Sequence, residues 1–228
     1  MKYFISAILL AGGRGSRFAS ELPKQFLPLG TKLIVHHSLE LLLNHPLIDE
    51  IIIVCAKTHQ EYFSNYTSEK IRFAPPGDTR QGSVREGLLR ASPDAQFLCI
   101  HDSARPLVQQ EDLDLVIEEG VLCKAAALGT LVKNTIKQVD RDGIVMKTVE
   151  RDMLWEVQTP QVISAPILWE GLAYAKEHNI TATDDLSLAE CLGYRCKIIA
   201  GSERNIKITT PDDMTVALSF LDKMYAQV

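Results

Sequence analysis

Residues 11–30, AGGRGSRFASELPKQFLPLG, combine three clustered glycines with basic side chains directly after an apolar segment. The glycines are Gly12, Gly13 and Gly15. Because they carry no Cβ atom, their backbone N–H groups can close around phosphate oxygens. Arg17 offers a planar guanidinium that can bind two oxygens, and Lys24 offers a compact charge on a flexible stem. The combination predicts a polyphosphate site in which cations stabilise charge during displacement at phosphorus.

The spacing of these glycines disfavours two common kinds of nucleotide site. It is not the GxGxxG of dinucleotide-binding proteins, and it is not GxxxxGK[ST], because Lys24 follows Pro23 rather than a glycine. A nicotinamide-dependent dehydrogenase also needs an acidic residue at the end of its second strand. The chain has Cys55 and Lys57 at that place.

Asp102 belongs to the segment IHDSARP, which follows an apolar run ending at Ile100. A residue at the carboxyl end of a parallel strand lies at the edge where open α/β sheets bind ligands. Mg²⁺ takes few protein ligands and completes its shell with water and phosphate, so a single carboxylate suits it. Capping of the next element is the alternative role for Asp102. The adjacent His101 is expected to be packed or hydrogen-bonded rather than a metal ligand.

The segment PPGDTRQGSVREGLL combines a turn with the start of a helix. Groups at such a turn can pair with the polar edge of a nucleobase, and a mismatched base would leave buried groups unsatisfied. Asp78 and Ser83 are the candidate side chains, and helix capping is the alternative role for both. Arg80 is expected to help hold this turn.

Short apolar segments alternate with helix-like segments along the chain. The expected strands, which are typical of strands buried on both faces, are FISAILLA, EIIIVCA, IRFAP, QFLCIHD and AAALGTLV. The expected helices are KLIVHHSLELLLNH, TRQGSVREGLLRAS, EDLDLVIEEGV and a final helix opened by Pro211. The apolar stripe of the final helix is Met214, Ala217, Leu218, Leu221 and Met224. The alternation predicts an α/β fold with a mainly parallel sheet flanked by helices, in a single domain spanning residues 1–228.

One region, at about residues 132–152, breaks this alternation. The segment KNTIKQVDRDGIVMKTVER predicts a strand, a turn and a second strand, with Asp142-Gly143 as a strong hairpin signal. A two-stranded hairpin is not stable alone in water, so this protruding β-arm must pack on something. An edge hairpin of the same domain and an arm that crosses to a second subunit are both open.

Composition restricts the partners and the compartment. The formal net charge of -5 argues against a general attraction to nucleic acid or to an anionic membrane. The apolar N-terminal segment is too short to span a bilayer, and the glycine cluster follows it directly, so a first core strand is expected rather than a signal peptide. The five cysteines form no CxxC pair, which predicts reduced thiols and a cytoplasmic protein.

Several long motifs occur in one order along nearly the whole chain. They are LAGGRGSRF followed by LPKQFL, then GDTRQGSV, HDSARP, TVERDMLWEVQTPQ, TDDLSLAE and NIKITTPDD. In these motifs the chain resembles the nucleotidyltransferases with a Rossmann-like fold, and within them the 2-C-methyl-D-erythritol 4-phosphate cytidylyltransferases of isoprenoid biosynthesis. The resemblance implies cytidylyl transfer from CTP to that sugar-alcohol phosphate, release of pyrophosphate, and a homodimer joined through the β-arm.

The resemblance also implies roles for particular residues. Arg17 and Lys24 would stabilise the pentacoordinate transition state, and Arg151 and Lys207 would position the acceptor phosphate. Asp102 would hold Mg²⁺ against the α-phosphate. The implied nucleotide-binding residues are Ala11, Gly12, Gly13, Gly15, Gly77, Asp78 and Ser83. The implied acceptor-binding residues are Arg105, Thr135, Thr159 and Thr183.

Two other functions stay open from the sequence. Ribitol-5-phosphate cytidylyltransferases also resemble the segments AGGRGSR, LPKQFL and HDS, although TVERDMLW and TDDLSLAE look more like the methylerythritol branch. A non-catalytic nucleotide-binding module would bind CTP without magnesium-dependent release of pyrophosphate.

Overall fold

Strands and helices alternate along most of the chain in the computed structural model, which describes residues 2–13, 18 and 22–225. In chain order the strands are β1 (Ile5–Leu10), β2 (Pro28–Leu29), β3 (Lys32–Leu33), β4 (Glu50–Val54), β5 (Ile71–Ala74), β6 (Phe97–Asp102), β7 (Ala125–Leu131), β8 (Ile136–Val139), β9 (Val145–Val149), β10 (Trp155–Ser164) and β11 (Lys197–Ala200). The α-helices are α1 (Ile34–Asn44), α2 (Arg80–Arg90), α3 (Gln110–Cys123), α4 (Ala165–Glu177), α5 (Leu186–Glu190) and α6 (Pro211–Tyr225). Two 3₁₀-helices span Lys24–Phe26 and Lys57–Phe63.

Seven of the strands form one sheet in the order β11-β7-β10-β6-β1-β4-β5. The pairs β1–β4, β1–β6, β4–β5 and β7–β11 are parallel, whereas β10 runs antiparallel to both β6 and β7. The carboxyl ends of the parallel strands therefore meet at one edge of the sheet, which is the edge where such sheets bind ligands. The predicted α/β fold with a mainly parallel, helix-flanked sheet is confirmed.

Two apolar layers cover the two faces of this sheet. Along β1, Ala7 and Leu9 pack with residues of α1 and α3, whereas Ile8 packs on the other face with residues of α2 and α4. Successive strand residues point to opposite faces, so a strand that is covered on both sides needs a continuous apolar run. This explains the segments ISAILL and EIIIV, whose residues are almost all buried.

The last helix, α6, packs on a third and smaller apolar cluster that includes Leu29 and Ile208. Ala217 and Leu221 are buried in that cluster, and Met214 packs against it. The prediction was wrong for Leu218, which is exposed. Leu218 lies about 100° around the helix from Ala217, and the small cluster covers only a narrow stripe of the helix. The Met224 side chain lies outside the described part of the chain.

The predicted hairpin is confirmed as β8 and β9, which form a two-stranded sheet of their own. Gly143 in the connecting turn has a φ of +81°, a backbone conformation that favours glycine. The apolar residues Ile144, Val145 and Met146 are 66%, 55% and 65% exposed, so the arm protrudes without a core of its own.

Strand β10 is not predicted by the sequence, because its segment WEVQTPQVIS contains Pro160. Proline cannot donate to a strand ladder and argues against a central strand. The structure accommodates Pro160 through a shift in the β7–β10 register between Val157 and Gln161. Beyond Pro160 the strand pairs on both sides, with β6 and with β7.

The five cysteines form no disulfide. Cys55 and Cys99 are buried in the sheet, and burial raises the pKa of each thiol to about 12. Within residues 2–13, 18 and 22–225, no helix combines the length and the apolar character needed to cross a bilayer.

Candidate active site

A cavity of about 980 Å³ opens where β1 and β6 end, at the carboxyl edge of the sheet. Its walls come from five segments: the loop after β1, the 3₁₀-helix at Lys24, the start of α2, the end of β6 and the segment before α6. The predicted site residues that line it are Gly12, Gly13, Lys24, Gly77, Asp78, Ser83, Asp102 and Lys207. Folding thus brings five of the predicted nucleotide residues, the predicted metal ligand, Lys24 and one predicted acceptor residue around one space.

The loop after β1 touches the segment that precedes Gly77. A Cβ atom on Gly12 would lie 2.5 Å from Cβ of Pro76, so this close approach requires glycine. Among the described residues, no heavy atom lies within 4 Å of the Cβ position of Gly13. Ala11 is buried, and its backbone N–H donates to the carbonyl of Val54 at 2.9 Å. The predicted residues Gly15 and Arg17 lie outside the described residues.

Gln25 joins this loop to the neighbouring 3₁₀-helix. Its side chain is buried, and Nε2 donates to the backbone oxygens of Ala11 and Gly13 at 2.7 and 2.9 Å. Sequence reasoning gave Gln25 no role, because a neutral amide between Lys24 and Phe26 carries no obvious chemistry. Its place inside the LPKQFL segment was the available signal.

Lys24 begins the 3₁₀-helix directly after Pro23, whose φ of −59° is typical of proline. The ammonium group donates to the backbone oxygen of Ile208 at 2.5 Å. Two residues later, the ring of Phe26 is buried and stacks on Tyr62 with ring centroids 4.8 Å apart. Lys24 is therefore a cation at the cavity wall on a segment that is fixed by an aromatic contact.

The start of α2 supplies the wall predicted to read a base. Thr79 is the residue that caps this helix, since its Oγ1 accepts from the Gly82 N–H at 2.9 Å. Ser83 instead accepts from the Gly77 N–H at 3.1 Å through Oγ, which ties the preceding turn to the helix. A Cβ on Gly77 would lie 2.4 Å from the carbonyl carbon of Gly82, so Gly77 is also a position of close approach. The helix directs its partially positive N-terminus at the cavity.

Asp102 ends β6 with its carboxylate at the cavity wall. Oδ1 accepts from Nε of Arg80 at 3.1 Å, and Oδ2 accepts from Nζ of Lys207 at 2.6 Å. Burial disfavours the charged carboxylate, but the two cations outweigh burial and hold the pKa of Asp102 well below its ordinary value. The Asp102 carboxylate is thus ionised at neutral pH, and its oxygens are potential ligands for a metal ion.

Arg80 also pairs with Asp185, which sequence reasoning missed. Nη1 and Nη2 of Arg80 donate to the two carboxylate oxygens of Asp185 at 3.0 and 2.8 Å. Asp185 is buried, and its own backbone N–H donates to Oε1 of Gln161 at 2.8 Å. The only signal for this pair was the acidic doublet in TDDLSLAE. The bidentate contact fixes the plane of the guanidinium that faces Asp102.

Two of the predicted acceptor residues lie directly behind the end of β6. Thr159 is buried, and its Oγ1 accepts from the Asp102 N–H at 3.0 Å and contacts Nδ1 of His101 at 3.1 Å. The guanidinium of Arg105 donates from Nη1 to the backbone oxygen of Asn205 at 2.7 Å. His101 is packed and hydrogen-bonded as predicted, and burial lowers its pKa to about 4.

The remaining predicted acceptor residues, Thr135, Arg151 and Thr183, are exposed. In the described part of the chain they are not among the residues that line the cavity. Thr183 lies in the loop before α5, two residues from Asp185. Thr135 lies just before β8, and Arg151 follows β9, where its Nη1 donates to the backbone oxygen of Lys133. The structure thus separates the residues of the arm from the residues of the cavity.

The chain is similar to known proteins of one family along nearly its whole length. The sequence model of the 2-C-methyl-D-erythritol 4-phosphate cytidylyltransferase family, IspD, matches residues 5–223. The chain is 41% identical over 216 residues to the chloroplastic 2-C-methyl-D-erythritol 4-phosphate cytidylyltransferase of Oryza sativa subsp. japonica, covering 93% of this chain and 73% of the rice protein. It is 41% identical over 216 residues to the enzyme of that name from Chlamydia pneumoniae, covering 95% and 98%. Among solved structures, the 4-diphosphocytidyl-2C-methyl-D-erythritol synthase of Anaerococcus prevotii DSM 20548 is similar, with a TM-score of 0.87 at 29% identity and 97% of each chain covered.

Proposed function

The chain belongs to the 2-C-methyl-D-erythritol 4-phosphate cytidylyltransferase family, and we propose that it catalyses the reaction for which the family is named. It is a nucleotidyltransferase that joins CTP and 2-C-methyl-D-erythritol 4-phosphate to give 4-diphosphocytidyl-2-C-methyl-D-erythritol and pyrophosphate, in isoprenoid precursor biosynthesis. The observation that carries this proposal is that glycines, Lys24, Asp102, Lys207 and the start of α2 line the same cavity.

The reaction needs positioning and charge stabilisation rather than a general base. The attacking oxygen belongs to a phosphomonoester, which is already anionic near neutral pH. It forms a bond to the α-phosphorus of CTP in line with the bond that breaks, and the electron pair of that bond leaves with pyrophosphate. No histidine is among the described residues that line the cavity, and His101, which lies behind its wall, is buried, hydrogen-bonded and neutral at this pH.

The loop after β1 and the 3₁₀-helix would hold the triphosphate. The N–H groups of Gly12 and Gly13 offer hydrogen bonds to phosphate oxygens, and Lys24 moves from the Ile208 carbonyl to the phosphate as charge develops. Arg17 and Gly15 are proposed to join them. Ala11 supports the loop from beneath, since its N–H is bound to Val54.

The turn before α2 would hold the cytosine ring. The close approach of Gly77 to the backbone of Gly82 holds this turn against the start of α2, and Asp78 and Ser83 offer polar groups at the cavity wall. A base with a different pattern of donors and acceptors would leave those groups unsatisfied, which gives selectivity for cytosine.

Asp102 fits a divalent cation of the Mg²⁺ type. Its carboxylate is held ionised at the cavity wall, and a carboxylate has lone pairs beyond those used by Arg80 and Lys207. Within the described residues no group of three or more metal-ligating side chains exists, which suits an ion that shares its shell with phosphate and water. When bound, Mg²⁺ would neutralise charge on the α-phosphate. Lys207, whose side chain is 40% exposed, can then turn to the acceptor phosphate.

The remaining acceptor residues support a homodimer joined through the β-arm. Arg151 and Thr135 are exposed on the arm, away from the cavity of their own chain, and the arm carries exposed apolar side chains. In a dimer they would complete the acceptor site of the other subunit. Within one chain, Arg105 and Thr159 brace the end of β6, and Thr183 lies beside the Arg80–Asp185 pair. The unpaired cysteines support a reducing compartment, which we take to be the cytoplasm.

The proposal is tested by measuring pyrophosphate release from CTP with purified protein and Mg²⁺. Release should require 2-C-methyl-D-erythritol 4-phosphate, should be far slower with D-ribitol 5-phosphate, and should stop when EDTA removes the metal. Preference for ribitol 5-phosphate would identify the other cytidylyltransferase reaction. CTP binding without release with either acceptor would identify a non-catalytic nucleotide-binding module.

A further inference from the structure

Gln25 is a buried side chain whose hydrogen bonds both reach the glycine-rich loop. It is 2% exposed, and its amide nitrogen lies 2.7 Å from the backbone oxygen of Ala11 and 2.9 Å from that of Gly13. A primary amide has two N–H donors, and these two carbonyls use both. The contact spans 12 to 14 residues of sequence, so it links the loop to a separate element.

The two carbonyls determine how the peptide planes of the loop are turned. In a trans peptide the C=O of one residue and the N–H of the next point in opposite directions. When Gln25 holds the Ala11 carbonyl, the Gly12 N–H must therefore point away from Gln25. In the described part of the chain, the N–H groups of Gly12 and Gly13 have no acceptor, and both residues line the cavity.

The loop needs such a restraint because its residues impose little conformation of their own. Glycine populates regions of φ and ψ that other residues avoid, so a glycine pair can turn its N–H groups in many directions. Gln25 itself is fixed by the next residue, since Phe26 is buried and lies against the rings of Tyr62 and His59. The restraint thus runs from an aromatic cluster through one amide to the loop.

We propose that Gln25 is a positioning residue that holds the loop in the conformation that binds the phosphates of CTP. This inference rests on the proposed function, because it takes the phosphate chain as the ligand of Gly12 and Gly13. Binding of a flexible loop would cost ordering entropy, and Gln25 removes that cost before the nucleotide arrives.

Two substitutions of Gln25 separate the effect of its amide hydrogen bonds from the effect of the size of its side chain. Gln25→Met keeps the length and burial but removes both donors, and we expect the Kd for CTP in the presence of Mg²⁺ to rise about 10-fold. Gln25→Glu places a carboxylate against two carbonyl oxygens, and we expect a rise of about 100-fold at pH 8. The KM for the acceptor should stay within about twofold of the wild type in Gln25→Met, since the loop faces the nucleotide.

The affinity of Gln25→Glu for CTP should depend on pH in a way that a loss of stability alone would not produce. A buried carboxyl facing two carbonyls has a raised pKa, and its neutral form regains one donor. CTP affinity relative to wild type should therefore recover as pH falls from 8 to 6, whereas Gln25→Met should show no such recovery. The charged groups of the described cavity wall are Lys24, Asp78, Arg80, Asp102 and Lys207, and they are common to all three proteins, so the ratio to wild type removes their effect.

The experiment is calorimetric titration of CTP into each protein with Mg²⁺, with thermal unfolding measured in parallel. Ser6→Ala is the matched control, because Ser6 is a buried residue of β1, the strand that leads into the loop, and its hydrogen bond to Glu50 lies at the opposite edge of the sheet. It should lower the unfolding temperature without raising the Kd for CTP. If wild type binds CTP and Gln25→Met binds it equally well, or if Ser6→Ala weakens binding as much, the role of Gln25 is wrong. If wild type itself does not bind CTP, the proposed function fails instead.

Discussion

The cavity and the β-arm are built in opposite ways. Three charged groups of the cavity wall are paired before any ligand arrives, since Asp102 contacts both Arg80 and Lys207, and Arg80 also contacts Asp185. The arm instead exposes its strands and presents apolar residues such as Met146 to the surface. Paired buried charges keep a site in one geometry, whereas an exposed hairpin gains a defined position only from something it packs against. The difference supports the proposal that one chain supplies the nucleotide site and that a second chain places the arm.

The largest expected effect is at Lys24, on the cavity side of this comparison. Lys24→Ala should lower kcat by about 10²–10³-fold, because the proposed role of the ammonium is to stabilise charge that develops at the phosphorus. The free energy of unfolding should change little, since Lys24 lies at the cavity wall on a 3₁₀-helix that is held in place by the buried Phe26. Steady-state pyrophosphate release measures kcat, and urea unfolding measures the free energy of unfolding. Lys57→Ala, at the start of a 3₁₀-helix outside the cavity wall, is the control and should keep wild-type turnover. Near-normal turnover of Lys24→Ala would remove this residue from the mechanism.

The second prediction tests whether the arm serves a neighbouring cavity. Arg151→Ala should lower kcat/KM for the acceptor by about 10–100-fold, through loss of a charge-assisted contact to phosphate. When Arg151→Ala and Lys24→Ala subunits are mixed, each heterodimer would hold one site with both defects and one site with neither. Activity should then recover towards half of wild type. Verified heterodimers that stay as inactive as the parents would show that Arg151 acts in its own subunit or not at all.

The third prediction concerns the buried pair that supports Asp102. Asp185→Asn leaves Arg80 with one neutral partner in place of a carboxylate, so we expect a loss of about 2–3 kcal/mol in the free energy of unfolding. Catalysis with Mg²⁺ should fall about 10-fold, because the guanidinium beside Asp102 is no longer held in plane. Asp49→Asn is the control, since Asp49 accepts from the Ile5 N–H at the opposite edge of the sheet. It should reduce stability and leave kcat unchanged; equal losses of kcat in both variants would assign a purely structural role to Asp185.

The smallest effect is expected on the arm itself. Met146→Ser should change the free energy of unfolding of dilute, dissociated protein by no more than about 0.5 kcal/mol, because the side chain is 65% exposed. Ile8→Ala, in the buried centre of β1, should lower it by about 2–5 kcal/mol. Chemical unfolding at low protein concentration measures both. A loss above about 2 kcal/mol for Met146→Ser would mean that the arm packs on its own domain.

The site residues that could be predicted from the sequence are those that their immediate neighbours in the chain identify. Asp102 follows an apolar strand, and Lys24 follows the glycine cluster, so each can be recognised from its neighbours. The Arg80–Asp185 pair joins residues 105 positions apart, and only the folded chain shows it. Gln25 was missed because its function depends on the direction of two backbone carbonyls, which no side-chain pattern encodes.

The same distinction holds for the fold. Strands buried on both faces are predicted from their continuous apolar runs, and the hairpin from Asp142-Gly143. Strand β10 could not be predicted, because Pro160 argues against a strand and the bulge that accommodates it depends on the neighbouring strands. In the proposed homodimer the arm packs against a second subunit, and no local pattern in the arm's own sequence encodes that contact.

A crystal structure of the protein with CTP and Mg²⁺ is the most direct test of the nucleotide site. The phosphate chain should lie against the Gly12 and Gly13 N–H groups, with the Lys24 ammonium moved from the Ile208 carbonyl to a phosphate oxygen and a metal ion on Asp102. A triphosphate bound elsewhere, with Lys24 still on Ile208 and the Asp102–Lys207 pair unchanged, would show that this cavity is not where the nucleotide reacts.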